Sequence, residues 1–398
     1  MLVWPDRAGC DFIGPCLPKL SVSSLLCPPG PVRSSLANHE GDIDKMTTFA
    51  TTAQPMIVGG IDAHKEKHHA VALDFQGVLL DNREFPATSC GYRELVAWLQ
   101  ALGPIDRVGV ESTGSYAAGL ARYLAEQGIR VVEVNTPHAH TRARKGKDDL
   151  IDAEAAARKV LSGDATALPK MTTGTIESIR LIRIARESAV RARSIALVQL
   201  QDVLITAPAQ LREAVTTKSA RSKVTRCGAL RPDLGRMNEP LQAAKMTLRG
   251  LSRRIAFLDE EISDIDQQLN ALVTRVAPTL LSRLGIGTQH AAQLLITAGE
   301  NIDRLTNEAA FARLCGVAPT PASSGNTHRM RLHRGGDRRA NSALHMIVVC
   351  RLRYDQRTID YMNRRRAEGL SKKDVIRCLK RFVAREVFRD LKGDLLRN

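Results

Sequence analysis

Four acidic residues of this chain lie where carboxylates could act together. Asp62 in GIDAHK and Glu111 in VEST each close an apolar run of the kind that forms a buried strand. Asp149 and Asp152 are three residues apart where a helix-like stretch begins, so the helix places both on one face. Strand ends and helix starts converge at one edge of an α/β sheet, where ligands bind. Gathered carboxylates repel one another unless they hold a cation, so the pattern predicts a Mg²⁺ site.

The acids at the helix start also have a purely structural interpretation. The helix dipole favours acidic residues in the first turn, and Asp148 or Asp149 could serve only as an N-cap. A charge at the end of an apolar strand, as at Asp62 and Glu111, is costly unless it is used. The four acids together therefore favour metal binding.

Positive charge outweighs these acids. The formal net charge is +16, and the last 73 residues hold 20 Lys/Arg against 8 Asp/Glu, which places +12 there. Such a concentration favours a polyanion partner over a basic surface kept for solubility. Directly before the acids, the run RARKGK offers cations for phosphates at Arg142, Arg144, Lys145 and Lys147.

Other classes of protein fit the composition poorly. No apolar run approaches the roughly 20 residues that span a bilayer. The eight cysteines form no CxxC pair, which suits a reducing cytoplasm and predicts a cytoplasmic protein. Residues 1–46 lack periodicity and signal-peptide features, so they read as a disordered leader or as upstream sequence before a natural start at Met46.

The elements that must position the acids begin at Ile57. Three short β-rich runs, IVGGID, KHHAVALD and GVLLDNREF, predict a meander, and a helix and a β-α-β unit follow. Residues 57–168 therefore read as a mixed α/β domain of the ribonuclease H-like class. A helical region over 175–277 and a mostly α-helical C-terminal domain over 278–398 complete the chain.

The helical region contains two long helices separated by a polar stretch. The first spans Thr175 to Thr206, and the second carries apolar residues at alternating spacings of three and four, which predicts a coiled-coil hairpin or a dimerisation helix rather than an ordinary amphipathic helix. This seam consists of Leu248, Leu251, Ile255, Leu258, Ile262, Ile265, Leu269, Leu272 and Val276.

The C-terminal domain carries two further signals. Gly285 and Gly287 lie in a predicted turn between two helices, a helix-hairpin-helix-like pattern that can present backbone N–H groups to a phosphate. A loop containing Ser323 and Ser324 precedes a series of arginines at Arg329, Arg331, Arg334, Arg338 and Arg339.

These motifs resemble those of a known family. GIDAHK, VESTGSY and KDDLIDAEAAAR are similar to the D, E and DxxD motifs of DEDD-type insertion-sequence transposases of the IS110 family, whose N-terminal domain is RuvC-like. The stretch from LGIGTQHAAQLL to HRGGDRRANSALH resembles that family's second transposase domain. The resemblance extends from about Ile57 nearly to the C-terminus. It implies a recombinase that cuts, exchanges and rejoins DNA strands to move its own element.

The resemblance also implies roles for individual residues. Asp62, Glu111, Asp149 and Asp152 would be the metal-binding acids, and the K-x-D-x-x-D-A spacing selects Asp149 over Asp148. A serine nucleophile is implied, for which Ser324, directly before a glycine, fits better than Ser323. Its partners would be DNA, a structured non-coding bridge RNA and further copies of the chain in a homodimer or tetramer.

Two rival functions share the predicted core. A RuvC-like junction nuclease would use Mg²⁺ to hydrolyse DNA without a covalent intermediate. A sugar-kinase or actin-like ATPase has the same ribonuclease H-like core and a GID strand. The lack of a second phosphate loop and the basic C-terminal region count against the ATPase.

Overall fold

The computed structural model describes residues 56–135, 148–217, 219–323 and 330–397. The predictions for the leader and for some site residues lie outside the described residues, namely those for 1–46, Arg142, Arg144, Lys145, Lys147, Ser324 and Arg329. Within the described ranges, no helix is both long and apolar enough to cross a membrane.

The N-terminal domain is built on a five-stranded mixed sheet. Its strands lie in the order β3-β2-β1-β4-β5. The first three form the predicted antiparallel meander, whereas β4 pairs in parallel with β1 and with β5. This arrangement fits a ribonuclease H-like domain, as the sequence predicted. The strands are β1 (Ile57–Ala63), β2 (Lys67–Asp74), β3 (Leu79–Pro86), β4 (Ile105–Glu111) and β5 (Val131–Val134).

Helices cover the two faces of this sheet. On one face, α1 (Ser89–Leu102) and α2 (Ala118–Glu126) pack their leucines against Ile57, Ile61 and other apolar side chains of the strands. On the other face, α3 (Asp149–Leu161) packs its alanines against apolar residues of the first, second and fifth strands. Successive strand residues point to opposite faces, so Asp62, next to Ile61, points to the α3 face.

Helix α3 lies very close to the sheet because small residues line the contact. A Cβ atom on Gly60 would lie 2.2 Å from the backbone oxygen of Ala153 and 2.4 Å from the backbone nitrogen of Ala157. A Cβ atom on Gly109 would lie 2.6 Å from Val160 Cγ2. Only glycine at these two strand positions permits the approach, which brings the start of α3 against the strand ends.

The helical region contains α4 (Thr175–Thr206), α5 (Ala209–Val215), α6 (Ala220–Gly228) and α7 (Pro240–Val276). The polar stretch between the long helices was expected only to separate them, but it contains all of α6. The side chain of Ser219 caps this helix and so favours its formation. Helices α4 and α7 run antiparallel, as two ion pairs between them show: Arg186 pairs with Asp266, and Arg193 pairs with Asp259.

The predicted apolar seam of α7 is covered within the chain. Leu248 and Ile255 are fully buried in a cluster with Ala196, Leu200 and Leu204 of α4. Toward the other end of the pair, Leu269 packs with the N-terminal part of α4 and the C-terminal domain. The seam thus joins α7 to the rest of its own chain.

The C-terminal domain is mostly helical, as predicted, but also holds a small hairpin of β6 (Pro319–Pro321) and β7 (Met330–Leu332). The expected helix before Gly285 is wrong in length: α8 is a single turn, and the backbone reaches a φ of +82° at Gly285 before α9 begins after Gly287. The helices are α8 (Pro278–Leu281), α9 (Thr288–Ala298), α10 (Glu308–Leu314), α11 (Arg338–Tyr354), α12 (Gln356–Ala367) and α13 (Lys372–Leu395).

Candidate active site

Two of the four predicted acids come from neighbouring parallel strands. Asp62 is the penultimate residue of β1 and Glu111 the last residue of β4. The register pairs Ile61 with Val110, so the two acids follow side by side and point to the face that α3 covers. Their side chains are nearly buried, with residue exposures of 8% for Asp62 and 7% for Glu111.

The other two acids lie in the first turn of α3. Asp152 is 6% exposed and Asp149 is half-buried. The preceding Asp148 is the N-cap, and its carboxylate accepts the N–H of Leu150 at 3.2 Å. Asp148 therefore has a structural role in the fold, while Asp149 approaches the strand acids.

His64 joins the strand acids to the helix acids. Its Nε2 atom lies 3.2 Å from Asp62 Oδ2 and 3.1 Å from Asp149 Oδ1. Asp62, His64 and Asp149 can each offer one ligand atom within 4.8 Å of the others. On the far side of this group, Lys67 Nζ lies 3.9 Å from Asp149 Oδ2 and 2.6 Å from Glu84 Oε1.

His64 and Lys67 were not predicted from the sequence. Both follow Asp62 in the stretch GIDAHKEK, where β1 turns into β2. Their proximity to the acids was the available signal, because a turn directly after a strand-end acid keeps its side chains at the same edge of the sheet.

The electrostatics of Asp62 link it to the other three acids. Burial is the largest influence and raises the pKa of Asp62 above its ordinary value, whereas the nearby His64 lowers it. The charges of Glu111, Asp152 and Asp149 raise the pKa further, so all three lie within electrostatic range of Asp62. Buried carboxylate oxygens that repel one another are a donor set that fits a hard divalent cation.

The backbone is strained directly after Glu111. Among the described residues, Ser112 is the one non-glycine residue with a left-handed φ, at +61°. Its carbonyl accepts the N–H groups of Ser115 at 2.9 Å and Ala117 at 3.4 Å. This tight turn ends β4 abruptly and holds Glu111 at the edge of the sheet, and such strain is typical of functional sites.

Four of the arginines predicted for phosphate binding are exposed in the C-terminal domain. Arg331 lies in β7, Arg334 in the following loop, and Arg338 and Arg339 in the first turn of α11. Arg339 also donates to Glu187 of α4, with a distance of 3.1 Å from Nη1 to Oε2. Ser323 is exposed just after β6.

The glycine turn lines an open cavity. Gly285 and Gly287 border a space of about 780 Å³ together with Met346, Arg353 and Tyr354. The exposed Gly287 directly precedes the first turn of α9, whose leading N–H groups have no partner inside the helix. The cavity thus combines backbone donors, a cation and an aromatic ring.

An acid cluster at the edge of a mixed sheet that fits a ribonuclease H-like domain, followed by a basic helical domain, agrees with the resemblance to DEDD transposases. Two family models match in that order. A DEDD transposase model of the IS110 type matches residues 59–207, which include all four acids. A model described as transposase of the IS116/IS110/IS902 family matches residues 277–363, which include the glycine turn and the serine loop. The chain belongs to the IS110 family of DEDD transposases.

Individual relatives agree with this assignment. The chain is 25% identical over 320 residues to the transposase for insertion sequence element IS1328 of Yersinia enterocolitica, covering 78% of this chain and 87% of that protein. It is 32% identical over 122 residues to a 43.6 kDa protein of insertion element IS110 from Streptomyces coelicolor, and 28% identical over 131 residues to a 42 kDa protein of IS900 from Mycobacterium paratuberculosis. The chain spans about a third of these last two, 30% and 33% of their lengths.

Proposed function

We propose that this protein is a DNA transposase that cuts, exchanges and rejoins DNA strands to move its own insertion sequence. The observation that carries the proposal is the cluster of Asp62, Glu111, Asp149 and Asp152, three of which are nearly buried. Solvated surface acids do not need burial or a strained turn, whereas a cation-binding site gains from both. Membership of the IS110 family supports the same conclusion.

We propose that the four acids hold Mg²⁺. Once bound, the ion supplies Lewis-acid polarisation of the scissile phosphate and offsets the repulsion among the carboxylates. The chain does the positioning. Gly60 and Gly109 let α3 approach, the turn at Ser112 holds Glu111, and His64 bridges Asp62 and Asp149. Lys67 adds a positive charge next to Asp149.

The partners follow from the positive charge. We propose that Arg142, Arg144, Lys145 and Lys147 bind the phosphates beside the acids, and that Gly285, Gly287 and the arginines from Arg329 to Arg339 bind backbone phosphates elsewhere. Many Arg and Lys side chains with only 4% aromatic residues suit backbone and shape recognition. A structured bridge RNA that pairs with donor and target DNA would then supply the sequence specificity.

We propose Ser324 as the nucleophile. Its Oγ would attack phosphorus as the bond to the leaving strand breaks, which conserves the phosphodiester energy in a phosphoserine link and allows rejoining without ATP. We also propose that α4 and α7 pair as an antiparallel coiled coil. The protein would assemble into a dimer or tetramer and would be located at the nucleoid in the cytoplasm.

A trapping experiment tests this function. The protein is incubated with its RNA, Mg²⁺ and a suicide DNA substrate, denatured, and analysed for a protein-DNA adduct by mass spectrometry. We expect an adduct on Ser324 that Ser324→Ala and Asp62→Ala both abolish, while Ser323→Ala, as the matched control, retains it. Cleaved DNA without any adduct would support the hydrolytic nuclease instead, and ATP hydrolysis without cleavage would support the ATPase.

A further inference from the structure

A hydrogen bond ties the turn after β4 to the neighbouring strand. Thr113 lies two residues beyond Glu111 and is 4% exposed. Its hydroxyl donates to Glu133 Oε1 at 2.9 Å, across 20 residues of sequence. A buried hydroxyl needs a partner, and a threonine in a turn commonly finds it in a nearby backbone group. Here the partner is a carboxylate of β5, so the bond joins the turn to the sheet.

Glu133 is not a fifth member of the acid cluster. In the parallel register of β4 and β5, Glu111 pairs with Val134, which packs against α3. Successive strand residues point to opposite faces, so Glu133, the residue before Val134, points away from α3 and from the acids. Any influence of Glu133 on the acid cluster must therefore pass through the turn.

Glu133 is itself fixed from two sides. Its backbone N–H donates to the carbonyl of Ala167 at 2.7 Å, in an antiparallel bridge to the segment that follows α3. Burial lowers the pKa of Arg304 in the C-terminal domain while the charge of Glu133 raises it, which places this guanidinium within electrostatic range of the carboxylate. Arg304 Nη2 in turn donates to the carbonyl of Ala298 at 2.9 Å. The acceptor of the Thr113 hydroxyl thus has a fixed position.

The bond acts next to the strained residue of the turn. Ser112 alone separates Glu111 from Thr113, and its φ of +61° persists in a non-glycine residue only where the surroundings hold it. The N–H groups that donate to the Ser112 carbonyl belong to the same turn, whereas the Thr113 hydroxyl is fixed to the sheet. Without that bond the turn would be free to shift and to carry the Glu111 carboxylate with it. A ligand carboxylate has to stay within roughly 0.5 Å of its working position.

We propose that Thr113 and Glu133 are positioning residues for the acid site. Their hydrogen bond holds the strained turn against β5 and thereby keeps the Glu111 carboxylate beside Asp62. The inference rests on the proposed function, because it takes the acid cluster to be a metal centre. It requires a hydroxyl at one position and an acceptor oxygen at the other, whereas the negative charge of Glu133 is not required. A glutamine also supplies an acceptor oxygen, so the hydrogen bond and the charge are tested apart.

Metal titrations of the full chain test the pair. Mn²⁺ is titrated into nucleic-acid-free protein by isothermal titration calorimetry, and thermal melting checks that every variant is folded. Thr113→Val keeps the shape of the side chain but lacks the hydroxyl. We therefore expect its Mn²⁺ affinity to fall about tenfold, the lower end of the effect of losing an outer partner of a metal site. Thr113→Ser should retain the affinity of the wild type, because it restores the donor.

Variants at the acceptor separate the hydrogen bond from the charge. Glu133→Gln should bind Mn²⁺ nearly as tightly as the wild type, whereas Glu133→Leu should lose as much affinity as Thr113→Val. The double variant Thr113→Val/Glu133→Leu should lose no more than either single variant, since all three lack the same bond. Thr358→Val is the matched control. This buried threonine of α12 also donates to a carboxylate, that of Asp355, but in the C-terminal domain, so its removal should leave the Mn²⁺ affinity unchanged.

The outcomes distinguish this pair from the metal site itself. A wild type that binds no Mn²⁺ would overturn the proposed metal centre and the pair with it. If the wild type binds Mn²⁺, equal affinity in Thr113→Val would overturn the pair alone, as would a Thr113→Ser variant as weak as Thr113→Val or losses that add in the double variant. If Thr113→Val melts far below the wild type, Glu133→Leu and Glu133→Gln at the half-buried acceptor decide by the same criterion.

Discussion

The acid site and the basic surface of the C-terminal domain arrange charge in opposite ways. Asp62, Glu111 and Asp152 are 6–8% exposed and are held by a sheet and a helix in direct contact. Arg334 is exposed on a loop and Arg338 on the first turn of a helix. Buried like charges at fixed positions suit chemistry on a bound cation, whereas exposed cations on long side chains suit a phosphate backbone of any sequence. On the function proposed above, the acid site would cleave DNA and the basic surface would bind its backbone.

The largest expected effect is a loss of DNA cleavage with nucleic-acid binding retained. Asp62→Ala removes the carboxylate at the centre of the cluster, so we expect DNA cleavage to fall by more than about 100-fold, beyond the usual effect of losing an outer partner of a metal ligand. Binding of DNA and RNA, measured by filter binding, should change little because the variant keeps every basic side chain. Asp148→Asn, which alters only the N-cap, should retain cleavage; equal losses in the two variants would contradict the separation.

A smaller substitution should reduce DNA cleavage only by moving the acids out of position. Gly60→Ala would place a Cβ atom 2.2 Å from the Ala153 carbonyl oxygen, which forces α3 and its two acids away from the strands. We expect a loss of about 1–3 kcal/mol in unfolding free energy, typical of overpacking, together with a marked loss of cleavage. Gly114→Ala is the control, because a Cβ atom there meets nothing within 4 Å. Chemical denaturation and a cleavage assay measure the two effects.

Much of this site could be predicted from the sequence, because it depends on local periodicity. Apolar runs located the strands that carry Asp62 and Glu111, and the start of an amphipathic run located Asp149. The short strand Pro319–Pro321 escaped prediction because proline is a poor strand former and its pairing with β7 is not local. The contact of His64 with Asp149, 85 residues away, depends on how α3 crosses the sheet. Gly60 was a usable signal for that crossing and was overlooked.

Two neighbouring arginines allow a test of which basic side chains bind nucleic acid. Arg338 and Arg339 are both exposed, but within the described residues only Arg339 of the two forms an ion pair, with Glu187. We expect Arg338→Ala to weaken nucleic-acid binding equally across sequences and to reduce the salt dependence by about one phosphate contact. Arg339→Ala should have a weaker effect, because its charge is partly neutralised by Glu187. Identical salt slopes for both variants would argue against a role for Arg338.

The smallest expected effect is on stability. Burial and neighbouring acids raise the pKa of Asp62, so its ionised form costs stability in the metal-free protein. Asp62→Asn should therefore raise the Tm by a few degrees at neutral pH. That gain should shrink as the pH falls through the pKa of Asp62, where the wild-type carboxyl becomes protonated and the cost disappears. A gain that is the same at acid and neutral pH would show that charge repulsion is not its cause.

Direct measurement of divalent-metal binding tests the central claim, that the acid cluster is a metal centre. Isothermal titration calorimetry with Mg²⁺, and with Mn²⁺ as a probe, would compare the wild type with Glu111→Gln and with Glu154→Gln. Glu154 is an acid of the same helix as Asp152, but its carboxylate pairs with Arg158. We predict binding by the wild type and by Glu154→Gln, and a loss of that binding in Glu111→Gln. Equal binding by all three proteins, or no binding by the wild type, would contradict the account.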